Sequence, residues 1–486
     1  MKKLIFSITT TLFLSSGLSA QDSEDPKVLT ITFKEAVEVA LKENVNLRQQ
    51  KNLLESRQAT RLGARFNYLP TVSLNGTYQK IDGQQFDQVQ GILAFTQSDR
   101  FNASLDASLT LFNGFNRSST LRQANYSFMA QENAVERSRQ QLIFNVSQQY
   151  LQILLNKELL KIAEDNLELQ KTNFEQIKGF VESGTRAKPD LYTQEALVEQ
   201  LEVLKIRAEN NYRRSKAALM QTLLLEPGVD IDPQTPSWDI NNVYNQNLVL
   251  DELYNIALAN RPDLKQNEYV VKAARRSVVS STSGYYPTLT AFFSYGSSYS
   301  SLVANTDFIA TNNFSTIGYL NGDPNQPVTS STPDFQRQVT EVDFDQQFFD
   351  NNPVTVYGLR LTIPIFDRFQ TRTQRVTSKI NYENATLDSE NLERTVYLDI
   401  QTAFLDFQAS KEDYEASTKQ YDAAKKSLEV QQERFDLGIG NLVELSQANN
   451  TYVLGAASRA QSVYTLLFQK IILDFNLGTL KFEDIQ

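Results

Sequence analysis

Residues 115–178 read FNRSSTLRQANYSFMAQENAVERSRQQLIFNVSQQYLQILLNKELLKIAEDNLELQKTNFEQIK and contain neither glycine nor proline, the main interior helix breakers. Apolar residues recur along this run every seven residues and then every three or four, which places one stripe on a single helix face. The stripe consists of Leu121, Phe128, Val135, Leu142, Val146, Tyr150 and Ile153. The run predicts a helix roughly 95 Å long, which must project because a compact domain cannot contain it.

A second run without glycine or proline covers residues 366–437, and it belongs to an internal duplication. Pro70 and Pro287 lie in similar motifs 217 residues apart, whereas Gly184 and Gly438 lie in similar motifs 254 residues apart. The spacing is constant within each block, and one insertion of 37 residues in the second copy accounts for the change. The sequence therefore predicts two copies of one structural unit.

The predicted boundaries follow this duplication. A signal peptide covers 1–20, the first copy covers 21–247, and the second copy covers 248–486. The first copy comprises a helix, a β-hairpin at 70–112, a long helix at 115–181, a return helix at 189–225 and an equatorial joint at 226–247. The second copy comprises a helix, a β-hairpin at 287–366 with a long loop at 296–352, a long helix at 366–437, a return helix at 441–477 and a short C-terminal tail.

The N-terminus has the pattern of an export signal. Lys2 and Lys3 are positive, residues 4–18 are apolar and hydroxyl-rich, and Ser19 and Ala20 are small residues suited to cleavage. The alternative is a membrane anchor, but the apolar stretch is shorter than the ~20 residues that a spanning helix needs. We expect an exported protein.

Composition excludes several classes of function. The chain has no Cys, no His and three Met, which removes thiolate nucleophiles, disulfides, imidazole catalysis and Cys/His zinc sites. Lys and Arg number 47 against 57 Asp and Glu, a net charge of −10, so the chain is a poor candidate for binding nucleic acid. We predict no enzyme activity, no metal site and no cofactor.

Four segments alternate apolar and polar residues with period two, as half-buried strands do. They lie at 70–80, 101–112, 289–295 and 357–363, and the connections 81–100 and 296–352 are polar enough for exposed loops. Strands of about ten residues cross a bilayer when tilted. Four strands cannot close a membrane barrel, which needs at least about eight. Membrane strands would therefore require a barrel shared between subunits. A soluble sheet on a helical rod is the alternative.

Together these features resemble the TolC-like outer membrane factor family, also called outer membrane efflux proteins. The local marks are LTLFNGF at 109–115, LTIPIFD at 361–367 and the two turns that start at Gly184 and Gly438. The resemblance covers nearly the whole mature chain. It implies a mainly α fold with membrane β-strands. In a homotrimer, duplicated coiled-coil helices would form a periplasmic α-helical barrel, and four strands per chain would contribute to a twelve-stranded outer-membrane β-barrel.

The resemblance also implies the function of an outer-membrane exit duct in tripartite efflux or type I secretion. Such a duct lies in outer-membrane lipid, extends into the periplasm and works with a periplasmic adaptor protein and an inner-membrane transporter. It passes small toxic molecules or secreted polypeptides, and neither the cargo nor a heavy-metal role can be read from the sequence. The competing readings are a helical-rod surface or structural protein and a carboxylate-only enzyme.

Site residues follow from family position. The adaptor-contact tips are Gly184, Thr185, Arg186, Gly438, Ile439 and Gly440. The periplasmic gate is assigned to Glu444, Gln447 and Asp190, and Glu444 would form a negative ring under threefold symmetry. Gln447 stands where some members have a second acid, and Gly440 stands where some have a basic residue that holds neighbouring hairpins closed. Arg186 and Arg434 are candidates to replace that basic residue.

Overall fold

The computed structural model describes residues 27–87, 91–236, 238, 240–246 and 248–481; the predicted signal peptide at 1–20 lies outside them. These residues include nine α-helices and ten strands. The helices are α1 (Phe33–Glu43), α2 (Val45–Phe66), α3 (Asn116–Glu182), α4 (Lys188–Leu223), α5 (Ile240–Tyr244), α6 (Leu250–Asn260), α7 (Pro262–Ser281), α8 (Gln370–Asp436) and α9 (Leu442–Leu477). The strands are β1 (Lys27–Ile31), β2 (Thr71–Asp87), β3 (Ile92–Asn113), β4 (Val229–Pro233), β5 (Thr288–Ser300), β6 (Ala304–Ala310), β7 (Thr316–Tyr319), β8 (Pro327–Thr329), β9 (Phe335–Glu341) and β10 (Val354–Thr362).

The duplication is visible in the lengths and spacing of the helices. Helices α3 and α8 each contain 67 residues, and α4 and α9 each contain 36. Helix α6 begins 217 residues after α1 (Leu250 against Phe33), and α8 begins 254 residues after α3 (Gln370 against Asn116). No helix in the described part of the chain is both long and apolar enough to cross a membrane. The two copies therefore share one helical plan.

The first helical segment of each copy, predicted as one helix, is broken in two. Asn44 has an extended ψ of 124°, and its side-chain oxygen accepts a hydrogen bond from the backbone N–H of Leu47 at 3.0 Å. Arg261 has a ψ of 119° and precedes Pro262, and a residue before proline is disfavoured in helical geometry. Each break ends one helix and starts the next.

The chain divides into two compact units, and each unit draws on both copies. Of the described residues, the first unit comprises 27–51, 134–262 and 393–481, and the second comprises 52–133 and 263–392. This division differs from predicted domains at 21–247 and 248–486. The compact units therefore follow position along the long helices rather than order along the chain.

The first unit has an apolar core around Tyr150 of α3. Strands β1 and β4 pair in parallel there, so the joint predicted at 226–247 contains both a strand and the short helix α5. The Tyr150 hydroxyl is buried and donates to the carbonyl oxygens of Ile31 at 3.1 Å and Gln234 at 2.6 Å. Burial, together with the nearby carboxylates of Glu35 and Asp232, raises the pKa of Tyr150, so the hydroxyl remains a donor.

The second unit contains an antiparallel sheet in the order β10-β5-β3-β2. The β2–β3 pairing continues to Asp87 and Ile92, and 296–352 contains the end of β5, the two-stranded pairs β6–β9 and β7–β8, and a short π-helical turn. The expectation of loops over 81–100 and 296–352 is therefore wrong. The ribbons β6–β9 and β7–β8 are largely exposed on both faces, and the half-buried face of the β2–β3 extension is made mainly of small and polar residues. Both therefore lack the apolar alternation by which a half-buried strand is recognised.

Candidate functional site

The first candidate site is the pair of helix reversals at 183–187 and 437–441. Gly184 and Gly438 have φ of 77° and 75°, the left-handed conformation that glycine adopts at little cost at a helix end. The N–H of Gly440 donates to the carbonyl of Arg434 at 2.9 Å, and the N–H of Thr185 donates to that of Phe180 at 2.8 Å. The predicted tip residues thus form two tight turns of the same design.

The two turns pack together within one chain. Their shared core is formed by Ile177, Phe435 and Leu445, all buried, with Leu191 half-buried against them. The Arg186 guanidinium lies 4.9 Å from the centre of the Phe435 ring, within cation–π range, and its side chain is only 22% exposed. Arg186 therefore joins the first turn to the second.

Each predicted gate acid faces an arginine of its own turn. Glu444 Oε2 lies 3.2 Å from Arg434 Nη1, and Asp190 Oδ2 lies 4.0 Å from Arg186 Nη1. The N–H of Glu444 also donates to Asn441 Oδ1 at 2.8 Å, as in a helix N-cap. Both candidate arginines therefore lie beside a predicted gate acid. Each pair forms within a single helical hairpin.

The remaining predicted site residues are exposed. Gln447 lies one turn after Glu444, and residues three apart share a helix face. Ile439 is 70% exposed and its neighbour Val443 is 75% exposed. The second turn therefore presents apolar side chains beside the Glu444–Gln447 face.

The close packing around Gly440 explains why a glycine occupies this position, which the sequence alone does not indicate. A Cβ at this position would lie 2.9 Å from the backbone nitrogen of Phe435 and 3.1 Å from the carbonyl carbon of Arg434. A basic side chain there would collide with the preceding helix end. Glycine at position 440 is thus favoured by the packing of this turn.

Two buried polar contacts behind the tips carried no recognisable sequence signal. The side-chain amide of Gln194 on α4 donates to Gln170 Oε1 on α3 at 2.8 Å, and Asn449 on α9 donates to Asn166 Oδ1 on α3 at 2.8 Å. Isolated amides on helix faces look like solvated residues in a sequence. Here they fix the alignment of α3 with α4 and α9.

The second candidate site is the sheet β10-β5-β3-β2, which has one apolar and one polar face. The apolar face carries Val72, Leu74, Tyr78, Phe101, Ala103, Leu105, Ala107, Ala291, Phe293, Tyr295, Tyr357, Leu359 and Leu361. The polar face carries Ser73, Asn75, Thr77, Asn102, Ser104, Asp106, Ser108, Thr290, Phe292, Ser294 and Arg360. The apolar face has no charged residue over this span, although many of its side chains are exposed, Leu74 by 78%.

The dimensions of this sheet suit a membrane. The nine residues of β10 extend about 30 Å along the strand, and a tilt of roughly 40° reduces this length to the ~25 Å of an apolar membrane band. Aromatic rings lie at both ends, as in membrane barrels. Phe101 contacts Phe348 at 5.4 Å between centroids at one end, and Phe112 contacts Phe115 at 5.5 Å at the other.

The outer strands β2 and β10 have no hydrogen-bonded neighbour beyond the sheet among the described residues. In lipid, each unpaired backbone group on such an edge costs several kcal/mol. No group of three or more acidic residues in the described ranges is placed to hold a metal ion. Among the described residues, neither site has side chains arranged for bond-making chemistry. The first site is a pair of packed turns, and the second is a sheet with one apolar and one polar face.

The comparisons with known proteins agree with this architecture. The profile of the family "Outer membrane efflux protein" matches residues 36–223 and 253–466, one stretch in each copy. No curated protein matches the sequence significantly. The matches confirm the predicted fold class, mainly α-helical with membrane strands.

Three solved structures illustrate the likeness. The Campylobacter jejuni CmeC outer membrane channel is 15% identical with a TM-score of 0.74, covering 97% of this chain and 94% of that one. The open Neisseria gonorrhoeae MtrE outer membrane channel is 17% identical with a TM-score of 0.69, covering 92% and 91%. CusC, described in terms of transmembrane channel formation, is 15% identical with a TM-score of 0.73, covering 92% of each chain.

At these identities the solved structures establish the fold, and the family match covers most of the chain. The matched family is one of outer-membrane efflux proteins, and the solved structures that resemble the chain are outer-membrane channels. The chain belongs to the outer membrane efflux protein family and is an exit duct for efflux rather than an enzyme.

Proposed function

We propose that three copies of this chain assemble into one duct, exported by the signal at 1–20, that carries small toxic molecules or secreted polypeptides passively out of the cell. The observation that carries this proposal is the four-stranded sheet with a charge-free face and two unpaired edges. Three sheets supply twelve strands, and pairing β2 of one copy with β10 of the next satisfies both edges.

The assembly can be tested by cysteine crosslinking, because the native chain has no Cys to interfere. We choose Ser73→Cys on β2 and Val356→Cys on β10, joined by a flexible bifunctional maleimide. We expect crosslinked products that stop at three chains. The matched control places cysteines at Ser104 and Ser294 on the central strands, and it should give no intermolecular product. Single chains only, in the aqueous fraction, would contradict the proposal.

We propose that the joined turns form the periplasmic tip, where the adaptor docks. Exposed Ile439 and Val443 beside the turn at Gly438 support this assignment, because burying these two apolar side chains in a protein contact would be favourable. The test is pull-down of the adaptor by the duct. Replacing Ile439 with Asp should abolish capture, whereas replacing Leu74 on the apolar sheet face with Ile should not.

We propose that the gate lies at the same tip and involves Glu444, Gln447 and Asp190. The contact of Arg186 with Phe435 joins the turn at Gly184 to the turn at Gly438, and the Arg434–Glu444 ion pair lies within the second turn. Opening the tip would require the turn at Gly184 to move against the turn at Gly438. Arg186→Ala should therefore raise the open probability in planar bilayers, and an unchanged open probability would remove Arg186 from the gate.

The kind of cargo can be identified from the effect of deleting the gene in the native host. Deleting the gene should raise sensitivity to toxic compounds if the duct serves efflux, or block export of one polypeptide if it serves type I secretion. A deletion strain that differs from its parent in neither respect would contradict both forms of the proposal.

A further inference from the structure

The polar face of the sheet differs in charge from the protein as a whole. Where all four strands run side by side this face carries Asp106 and Arg360 as its charged residues, and Arg100 follows on the same face where only β2, β3 and β5 are paired. One acid against two bases gives the face a positive balance, whereas the chain as a whole has a net charge of −10. The sign of the wall therefore cannot be inferred from the overall composition.

Asp106 is fully engaged by neutral groups of its own chain. Its carboxylate accepts hydrogen bonds from Ser294 Oγ at 2.6 Å, Ser104 Oγ at 2.7 Å and Asn75 Nδ2 at 2.9 Å. These donors come from the neighbouring strands and from β3 itself. Since they hold the carboxylate in place, Asp106 is not free to turn toward an arginine.

Arg360 is held differently. Its guanidinium carbon lies 5.4 Å from the centre of the Phe292 ring, within cation–π range, and its side chain is exposed. In the described part of the chain, no carboxylate lies within ion-pair distance of Arg360. The Phe292 ring in turn lies over Gly358, where a Cβ would be 3.1 Å from the ring. The strands thus build a flat aromatic base beneath a cation.

Asp106 lines the same groove as Arg360 but makes no ion pair with it. Its partners across the sheet, Thr290 and Thr110, are neutral. Strand β2, the other edge, has no charged residue from Thr71 to Gln79, so a second copy that pairs there brings neutral side chains at any register within that span. The positive charge therefore remains available to a solute.

A groove of about 310 Å³ lies beside this pair. It is lined mainly from the polar face, by Thr71, Ser73, Asp106, Phe292, Ser294 and Arg360. Its volume falls at the lower end of the range found for small-molecule sites. A planar ring with one carboxylate has the charge to meet Arg360 and the shape to lie against Phe292.

We propose that Arg360 and Phe292 form a contact site for anions that bear an aromatic ring, and that Arg360 gives this part of the path its preference for anions. The inference rests on the proposed duct, in which the polar face lines the water-filled path. Cargo identified this way is a chemical class: aromatic carboxylates and related organic anions. Arg360 selects solutes that carry a negative charge, and Phe292 selects solutes with an aromatic ring by stacking.

The test uses the purified full-length channel in planar bilayers, with reversal potentials measured in a potassium chloride gradient. Arg360→Gln should lower the chloride-to-potassium permeability ratio about threefold, since each copy loses one charge at the wall. Arg360→Lys should retain the ratio. Lys379→Gln, the same loss of charge on α8 outside the sheet, is the matched control and should leave the ratio unchanged.

The aromatic part is tested with benzoate and acetate as probes. Benzoate should reduce the chloride current more than acetate does in the wild type. Phe292→Leu should abolish this difference and keep the chloride preference, because Arg360 remains. An unchanged permeability ratio in Arg360→Gln would overturn the charge assignment, and equal effects of the two probes on the wild type would overturn the aromatic one. If the wild type forms no channel, the proposed duct itself fails, which is a distinguishable result.

Discussion

The helix tips and the polar sheet face both carry arginines and carboxylates, but they use them in opposite ways. At the tips each gate acid faces an arginine of the same turn, Glu444 facing Arg434 and Asp190 facing Arg186. On the sheet, Asp106 is held by hydroxyl and amide donors, and Arg360 lies over an aromatic ring. Arginine at the tips thus contacts the protein's own turns, whereas Arg360 on the sheet has no carboxylate partner among the described residues.

A negative ring at the gate therefore cannot be inferred from the family position of Glu444 alone. Glu444 lies at the start of α9, and the positive charge of Arg434 lies 3.2 Å away and offsets it. We infer that electrostatic selection of cargo depends more on the sheet wall than on the tip.

The largest expected effect comes from breaking the tip core. Phe435→Ala removes a buried ring and the surface on which Arg186 rests, and truncation of such a ring costs about 3–5 kcal/mol. We expect residues 431–445 to lose hydrogen-exchange protection in the assembled channel. The chloride-to-potassium permeability ratio should stay at the wild-type value, and a change in that ratio would mean that tip and wall are not separate.

A smaller effect is expected at Gly440. Gly440→Ala forces a methyl group against the backbone of Arg434 and Phe435, and overpacking of this kind costs about 1–3 kcal/mol. Faster protease cleavage at the turn is the expected readout. Gly63→Ala on α2, where an added Cβ meets no atom within 4 Å, is the control and should cleave at the wild-type rate.

The Arg434–Glu444 pair should contribute less again. Both side chains are nearly half exposed, and exposed ion pairs contribute at most about 1 kcal/mol. A double-mutant cycle with Arg434→Gln and Glu444→Gln, read out by hydrogen exchange of the tip, measures the coupling. A coupling of several kcal/mol would contradict this prediction, because it would show that the pair is shielded from water.

The smallest effect is expected from Asp106→Asn. The substitution removes one negative charge per copy from the wall while an amide oxygen still accepts hydrogen bonds from the neighbouring donors. The chloride-to-potassium ratio should rise, by about twofold or less, because the carboxylate it replaces is already hydrogen-bonded. A fall in the ratio would reverse the sign that we assign to this wall.

Much of the fold could be predicted because its strongest signals are local. The absence of glycine and proline marked out the long helices, and Gly184 and Gly438 marked where the reversals begin. The ribbons beyond the four-stranded sheet could not be predicted because neither of their faces is a continuous apolar one. The breaks at Asn44 and Arg261 were missed because one capping side chain or one proline is a weak signal within a helical pattern.

The sites were less predictable because they depend on contacts between distant segments. Arg186 meets Phe435 across almost 250 positions of sequence, and no local pattern indicates that pairing. Arg360 lay between apolar residues that alternate in β10, so it was simply counted as the polar side of a strand. The contact of Arg360 with Phe292 could not be predicted, because only the strand register of the folded sheet brings these two side chains together.

The central claim is that one chain supplies a third of a closed wall, and the mass of the particle tests this most directly. Protein purified from membranes in detergent should have a protein mass three times that of the processed chain, whose full-length form is 55.2 kDa. Native mass spectrometry after detergent removal gives this number. A water-soluble particle with the mass of one chain would contradict the account.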